Sequence, residues 1–246
     1  MAQQVAFDFS GMNFVVTGAS SGMGRQIATE LAQAGANVLA VARRDDQLRS
    51  LQAVDSQHIY RAAVDVCDYK KMQAALDDFI ATHGKLNGLV HAAGIMELTP
   101  LKVYDETAAK KMMDVTFWAG MKLIQLLQKK KYSIDGASFI LFSSAFAFNG
   151  EMGMFAYSAA KAAVRIAVRT LAKEIAKRGL RINTICPGRV HTPMTTGYVN
   201  PAIIERHLLG EGSPEDVSGA VAFLLSDRAH WITGADIVVD GGYHVN

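Results

Sequence analysis

Tyr157 and Lys161 stand four residues apart in Tyr157-Ser158-Ala159-Ala160-Lys161, a spacing that sets both on one face of a helix. A phenol ionises near ~10 in water, and a neighbouring ammonium favours its phenolate. A tyrosine tuned in this way passes a proton to or from a carbonyl or alcohol near neutral pH. The same pair also occurs on ordinary surface helices, so its meaning depends on its surroundings. Ser143-Ser144 closes an apolar run upstream, and Ser144 precedes Tyr157 by 13 residues.

A second chemistry is written near the start of the chain. Phe14-Val15-Val16 reads as a buried strand, Gly18, Gly22 and Gly24 follow in GxxxGxG spacing, and Ile27, Ala28 and Leu31 recur at helical period. Strand, glycine turn and helix form the context in which such glycines cradle a pyrophosphate, with the helix N-terminus supplying N–H groups and a positive dipole end. A flexible loop between two core elements is the competing reading.

These residues need a scaffold, and the chain alternates strand and helix patterns throughout. Strands are expected at Val38–Ala42, His58–Val64, Leu86–Ala92, Ser138–Phe142, Arg181–Cys186 and Ile237–Val239, with helices over Arg25–Ala34, Asp45–Val54, Tyr69–Thr82, Asp105–Lys131 and Tyr157–Arg178, and another starting at Pro214. Met72, Leu76, Phe79 and Ile80 face inward on the third of these helices. Such alternation predicts an α/β fold, a doubly wound parallel sheet of about seven strands with helices on both faces. Ligands bind beyond the carboxyl ends of such strands, where Asp65, Gly94, Ser144 and Pro187 fall. Pro187–Ser213 holds three of the five prolines and has little periodicity.

Composition narrows the class. At 246 residues, with 50% hydrophobic residues and a net charge of +2, the chain is expected to form a single domain, 1–246, and to bind neither nucleic acid nor an anionic membrane. Lys129-Lys130-Lys131 reads as a solvated helix terminus. Cys67 and Cys186 make no CxxC, and no metal site is expected. Met1–Ser10 lacks the pattern of a signal peptide and no run is long enough to span a membrane, so a cytoplasmic protein is expected.

Taken together from Phe14 to Gly242, the motifs resemble the short-chain dehydrogenase/reductase family in its single-domain branch, similar to 3-oxoacyl-[acyl-carrier-protein] reductases. Thr17–Gly24 matches TGxxxGxG, His91-Ala92-Ala93-Gly94 takes the place of NNAG, Tyr157 and Lys161 that of YxxxK, and Pro187–Thr192 resembles PGxVxT; Asp240-Gly241-Gly242 matches the C-terminal signature. The resemblance implies a Rossmann-like fold with a substrate lid at about 189–213, and hydride exchange between nicotinamide and a carbonyl or alcohol. It implies that Tyr157 is the general acid, that Lys161 lowers its pKa and bonds the nicotinamide ribose, and that Ser144 polarises the carbonyl. Ser143 is the competing serine, but as its strand neighbour it faces the other way. Gly18, Ser20, Ser21, Gly22, Met23 and Gly24 would cradle the cofactor, Asp65 and Val66 its adenine, and Ala92, Ala93 and Gly94 its middle. Pro187, Gly188, Val190 and Thr192 would hold the nicotinamide carboxamide.

Two departures stand out. The family's catalytic asparagine is replaced by Thr116, which puts the proton-relay water in question, and the second asparagine of NNAG is Ala92. At the end of the second strand, where an acid would bond a ribose diol, the chain carries Arg43-Arg44. Guanidinium groups suit a phosphate, so NADP(H) is preferred over NAD(H), with a solvated arginine pair as the alternative.

Met96, Phe146, Phe148, Met152, Met154 and Phe155 flank the presumed site, and Met194, Tyr198, Ile203, Ile204 and Leu208 lie in the lid. They read as core or as an apolar, adaptable pocket. His191 and His207 read as solvated. The expected substrate is a small-molecule apolar ketone or 3-oxoacyl compound. The alternatives are a steroid, sugar or polyol dehydrogenase, or a poorly catalytic NADP(H)-sensing protein. Met112, Met113, Phe117, Trp118, Met121 and Leu126, with Val164, Ile166, Val168 and Leu171, exceed one buried stripe. Relatives pair these helices, so a homotetramer or homodimer is expected.

Overall fold

Short, mostly apolar runs become the strands of a parallel sheet covered on both faces. The structure is a computed structural model that describes residues 6–198 and 200–246; the reading of Met1–Ser10 lies partly outside them. The sheet has seven strands: β1 (Asn13–Thr17), β2 (Asn37–Ala42), β3 (Ile59–Ala63), β4 (Leu86–His91), β5 (Ser133–Phe142), β6 (Arg181–Pro187) and β7 (Asp236–Val239). They lie in the order β3-β2-β1-β4-β5-β6-β7, and every pair is parallel. The order reverses between β1 and β4, so the loops leaving their carboxyl ends diverge and open a crevice there.

Alternation along β1 divides the core. Phe14 and Val16 face α1 (Gly22–Gln33), α2 (Asp45–Gln52) and α10 (Pro214–Leu225), where Ile27, Leu31, Leu48, Val217 and Val221 are buried. Val15 faces the other layer, formed by α3 (Tyr69–His83), α5 (Ala119–Leu127) and α7 (Phe155–Ile175), where Leu76, Phe79, Leu123, Val164 and Val168 are buried. Each such side chain contributes roughly 1.5–3 kcal/mol by leaving water. Ile80 is only half-buried.

The expected helix Asp105–Lys131 is not one regular helix. It comprises α4 (Glu106–Met113), a single π-helical turn at Asp114–Trp118, and α5, which ends at Leu127. Lys129-Lys130-Lys131 therefore lies in the turn after the helix, and Lys131 pairs with Asp77 of α3 at 2.7 Å. Tyr157 sits within the first turn of α7, which begins two residues earlier than expected. Among the described residues, no helix is long and apolar enough to cross a membrane. Three short helices border the crevice: α6 (Phe146–Asn149), α8 (Pro193–Thr196) and α9 (Pro201–Glu205). The last two lie in the stretch that showed no periodicity, since helices of one turn are too brief to establish a period.

Candidate active site

The first glycine of the turn is required by its surroundings. Gly18 has φ +72°, and a Cβ there would lie 2.8 Å from the Ala93 nitrogen, so any side chain would push apart the ends of β1 and β4. At Gly24 a Cβ would lie 2.5 Å from the Gly18 oxygen, which explains how α1 packs so closely on the strand it follows. Helix α1 starts at Gly22, and no side chain caps its N-terminus. Its first N–H groups and dipole are left to an anion.

Gly18, Ser20, Ser21, Gly22, Met23 and Gly24 line one side of a cleft of about 490 Å³, and Ala92, Ala93 and Gly94 line it at the end of β4. Arg43, Arg44, Asp65 and Val66 form its rim. The two arginines differ. Arg44 donates from Nη2 to Ser20 Oγ (2.9 Å) and Ser21 Oγ (2.8 Å), tying β2 to the glycine turn. Arg43 is exposed and makes no side-chain hydrogen bond among the described residues. Asp65 Oδ1 accepts from the Cys67 N–H at 2.9 Å, shaping the turn after β3. The uncapped helix, the close glycines and the cationic rim fit a dinucleotide phosphate.

Ser144, Tyr157 and Lys161 meet in a second pocket of about 90 Å³, together with Pro187, Gly188, Val190 and Thr192. The two cavities share Met23, Ala92, Gly94, Met96, Thr192 and Met194. Strand alternation separates the serines. Ser143 Oγ donates to the Lys161 carbonyl at 2.8 Å and anchors α7 to β5, whereas Ser144 faces the pocket and accepts from the Phe146 N–H at 3.2 Å.

The electrostatics differ from the sequence expectation. Burial raises the Tyr157 phenol above its ordinary value, and the nearby Ser144 hydroxyl is the group that acts to lower it. Lys161 Nζ is 5.7 Å from the Tyr157 ring centre and donates to the Phe142 carbonyl at 2.8 Å. Burial lowers Lys161 to about 8, so the ammonium still holds its proton at neutral pH. Thr116 is buried in the π-helical turn, and its Oγ1 has no hydrogen-bond partner among the described residues. A Cβ on Gly94 would lie 3.5 Å from Lys161 Nζ and 3.8 Å from Thr116 Oγ1. Glycine thus keeps open the space that lies between these two polar groups.

His91 carries a role that motif matching alone missed. Its Nε2 contacts the Val115 carbonyl at 3.2 Å, so that nitrogen bears the hydrogen, and Nδ1 accepts from Thr17 Oγ1 at 2.8 Å. The ring thereby ties β1 and β4 to the π-helical turn. Burial, aided by the Lys161 ammonium, pushes His91 down to about 4. The folded state resists a proton that the unfolded chain takes up near pH 6.5, so stability falls as pH drops from about 6.5 to about 4. His91→Asn should show a shallower loss over this window, the difference from wild type reaching on the order of 3 kcal/mol. Urea midpoints measured against pH check this; parallel losses in the two proteins would refute it.

The apolar candidates divide. Met96, Phe146, Met194, Tyr198 and Ile203 line the pocket. Met154 is core, Met152 and Phe155 are exposed, and Phe148 lies under the Arg165 guanidinium at 3.5 Å. Ile204 is half-buried and Leu208 exposed. His191 is exposed as expected, but His207 is buried rather than solvated. Its Nδ1 donates to the Ile203 carbonyl (2.7 Å), and its Nε2 accepts from the Arg189 N–H (2.8 Å).

Comparison with known proteins agrees with this geometry. The family profile described as Enoyl-(Acyl carrier protein) reductase matches residues 18–244. The chain is 32% identical to the short-chain dehydrogenase/reductase aba4 of Botryotinia fuckeliana, over 96% of this chain and 97% of that one. It is 33% identical to the 3-oxoacyl-[acyl-carrier-protein] reductase FabG of Rickettsia conorii, over 96% and 98%. A blue fluorescent protein from a metagenomic library, solved in complex with NADPH, superposes with a TM-score of 0.89 at 28% identity, covering 96% and 99%. The chain belongs to the short-chain dehydrogenase/reductase family of oxidoreductases and is similar to 3-oxoacyl-[acyl-carrier-protein] reductases.

Proposed function

We propose that this protein is an NADP(H)-dependent carbonyl reductase acting on an apolar ketone or a 3-oxoacyl compound, built as a single domain with 189–213 as its substrate lid. The observation that carries the reading is the convergence of Ser144, Tyr157 and Lys161 in an apolar pocket that opens into a glycine-lined cleft rimmed by Arg43 and Arg44. The solved relative holding NADPH supports the choice of cofactor.

The cleft residues would hold the dinucleotide. Gly22 and Met23 would meet its pyrophosphate, Arg43 its 2′-phosphate, Asp65 and Val66 its adenine, and Pro187, Gly188, Val190 and Thr192 its carboxamide. When bound, the cofactor supplies a hydride to the carbonyl carbon. Tyr157 donates its phenolic proton to the carbonyl oxygen, and the Ser144 hydroxyl polarises that same oxygen. Lys161 places a positive charge beside the phenolate that results, and its donors also suit the nicotinamide ribose. Lys161 would return a proton to Tyr157 and recover it from solvent. Thr116 Oγ1, without a partner among the described residues, would orient a water in that relay across the open space beside Gly94.

The test is NADPH oxidation across a panel of ketones, aldehydes and acyl thioesters. Turnover of apolar ketones or 3-oxoacyl thioesters is expected; cofactor binding without turnover of any carbonyl would favour a sensing role.

Thr116→Asn is expected to change kcat by less than about tenfold, or ~1.4 kcal/mol, and upward. Stopped-flow reduction checks this. An inactive wild type restored by Thr116→Asn would overturn Thr116 as a working relay member.

A homotetramer is the proposed assembly. Met112, Val164 and Val168 are core and offer nothing to a partner, but Trp118 and Ile166 are exposed, as are Leu101, Val103 and Tyr104. Light scattering at micromolar concentration should give about four times the 26.6 kDa chain mass. A stable monomer would refute the assembly.

A further inference from the structure

The pocket has two walls built from different strand ends. One follows β5 and carries Ser144 and Phe146; the other follows β6 and carries Tyr198 and Ile203. A third segment, the turn after β7, reaches both. Tyr243 is fully buried, with its ring centre 5.4 Å from that of Phe146 on one wall and 4.7 Å from that of His207 beside the other. Its O–H donates to Glu151 Oε2 at 2.8 Å. Arg206, just past α9, donates from Nη1 to the same oxygen at 3.3 Å, and its guanidinium lies 4.3 Å from the Tyr243 ring centre.

Glu151 belongs to the loop between α6 and α7 that leads to Tyr157, and its side chain is only 14% exposed. A carboxylate this sheltered requires partners: Oε1 accepts from the Met152 N–H of its own loop at 3.1 Å, while the partners of Oε2 come from the opposite wall and from the turn after β7. That turn is itself held. Asp240 Oδ1 accepts from the Gly242 N–H (3.0 Å), and its Oδ2 accepts from the His244 N–H (2.9 Å). Ala145 and Tyr243 form a small apolar cluster with the pocket-lining Ile203, and Phe146 and Tyr198 pack against it.

We propose that Glu151, Arg206 and Tyr243 form a clasp joining the two walls, with the Tyr243 ring as the backstop that sets how long a substrate the pocket accepts. This assigns a specificity-determining role to Tyr243 and a positioning role to Glu151 and Arg206; it deepens the carbonyl-reductase reading and rests on it. With the clasp closed, Phe146, Tyr198 and Ile203 cannot retreat, and the pocket stays near the 90 Å³ observed. Removing the ring leaves a space into which those lining side chains can move, lengthening the pocket away from Ser144 and Tyr157.

Two measurements test this. In hydrogen exchange of the whole protein, Tyr243→Phe should speed exchange of the α9 amides about tenfold, the size of one hydrogen bond to a charged group. Glu151→Gln, which keeps an acceptor for Tyr243, should show a smaller increase. With NADPH and a homologous series of methyl ketones, Tyr243→Ala should raise the ratio of kcat/KM for the longest to the shortest by about tenfold or more, the scale of discrimination by one methylene. Unchanged α9 exchange in Tyr243→Phe overturns the clasp whatever the activity. Faster exchange in Tyr243→Phe with an unchanged length preference in Tyr243→Ala overturns the backstop. A wild type that reduces neither ketones nor 3-oxoacyl thioesters refutes the proposed reaction, and the exchange result still decides the clasp.

Discussion

Tyr157→Phe should lower kcat by ~10² or more while leaving NADPH affinity and melting temperature close to wild type. Phenylalanine keeps the ring that packs at the start of α7 and deletes only the hydroxyl. Ser144 can still polarise a carbonyl, and Lys161 keeps its bond to the Phe142 carbonyl, so the pocket retains its shape and charge. What disappears is the phenolic acid that faces Ser144 in that pocket. Burial holds the Tyr157 phenol above its ordinary value, so the phenol remains protonated at neutral pH and ready to donate. The loss should therefore fall on kcat, with KM changing little. Steady-state kinetics and cofactor titration by fluorescence check this, and activity within a few-fold of wild type would remove Tyr157 from the reaction.

Arg43→Asp should weaken NADPH binding by about 1.5–3 kcal/mol, the range for a hydrogen bond to a charged group, and shift preference toward NADH. Arg43 is the better test of the two arginines, since Arg44 is already committed to Ser20 and Ser21. Changing Arg44 would also disturb the glycine turn. Arg43 lines the cleft without a competing side-chain bond among the described residues, so its replacement alters charge while leaving the local architecture in place. An aspartate there repels a 2′-phosphate and accepts from a ribose diol. Isothermal titration with both cofactors measures the change, and a wild type that binds NADH more tightly than NADPH would refute the assignment.

Much of this protein follows from local pattern. Most strands are short apolar runs, several of them ended by Gly, Asp or Ser, and most helices begin or stop where capping chemistry dictates. Asp68 caps α3 by accepting from the Lys71 N–H at 3.2 Å, and Gly84 ends it at φ +90°. Such signals act within a turn or two, so they survive reading in one dimension. The spacing of Tyr157 and Lys161 and the glycines at 18, 22 and 24 are likewise local, and the structure brings them to adjoining cavities. The π-helical turn at Asp114–Trp118 was not legible. One inserted residue barely disturbs an apolar period, and its support comes from His91, 24 residues away in sequence.

The sequence by itself determined the alternation of strands and helices, the glycine turn, and the pairing of a tyrosine with a lysine on one helical face. All of these depend on neighbours a few residues apart. Only the tertiary structure decided which groups set the protonation of Tyr157 and Lys161, because desolvation depends on what covers a side chain. It also divided the apolar residues between core and pocket, turned His207 inward, and made Arg44 a tie while leaving Arg43 exposed on the cleft rim. The contacts among Glu151, Arg206 and Tyr243 likewise arise because three strand ends converge in space. No period or spacing encodes a meeting between segments 55 and 92 residues apart; packing of the sheet brings them together.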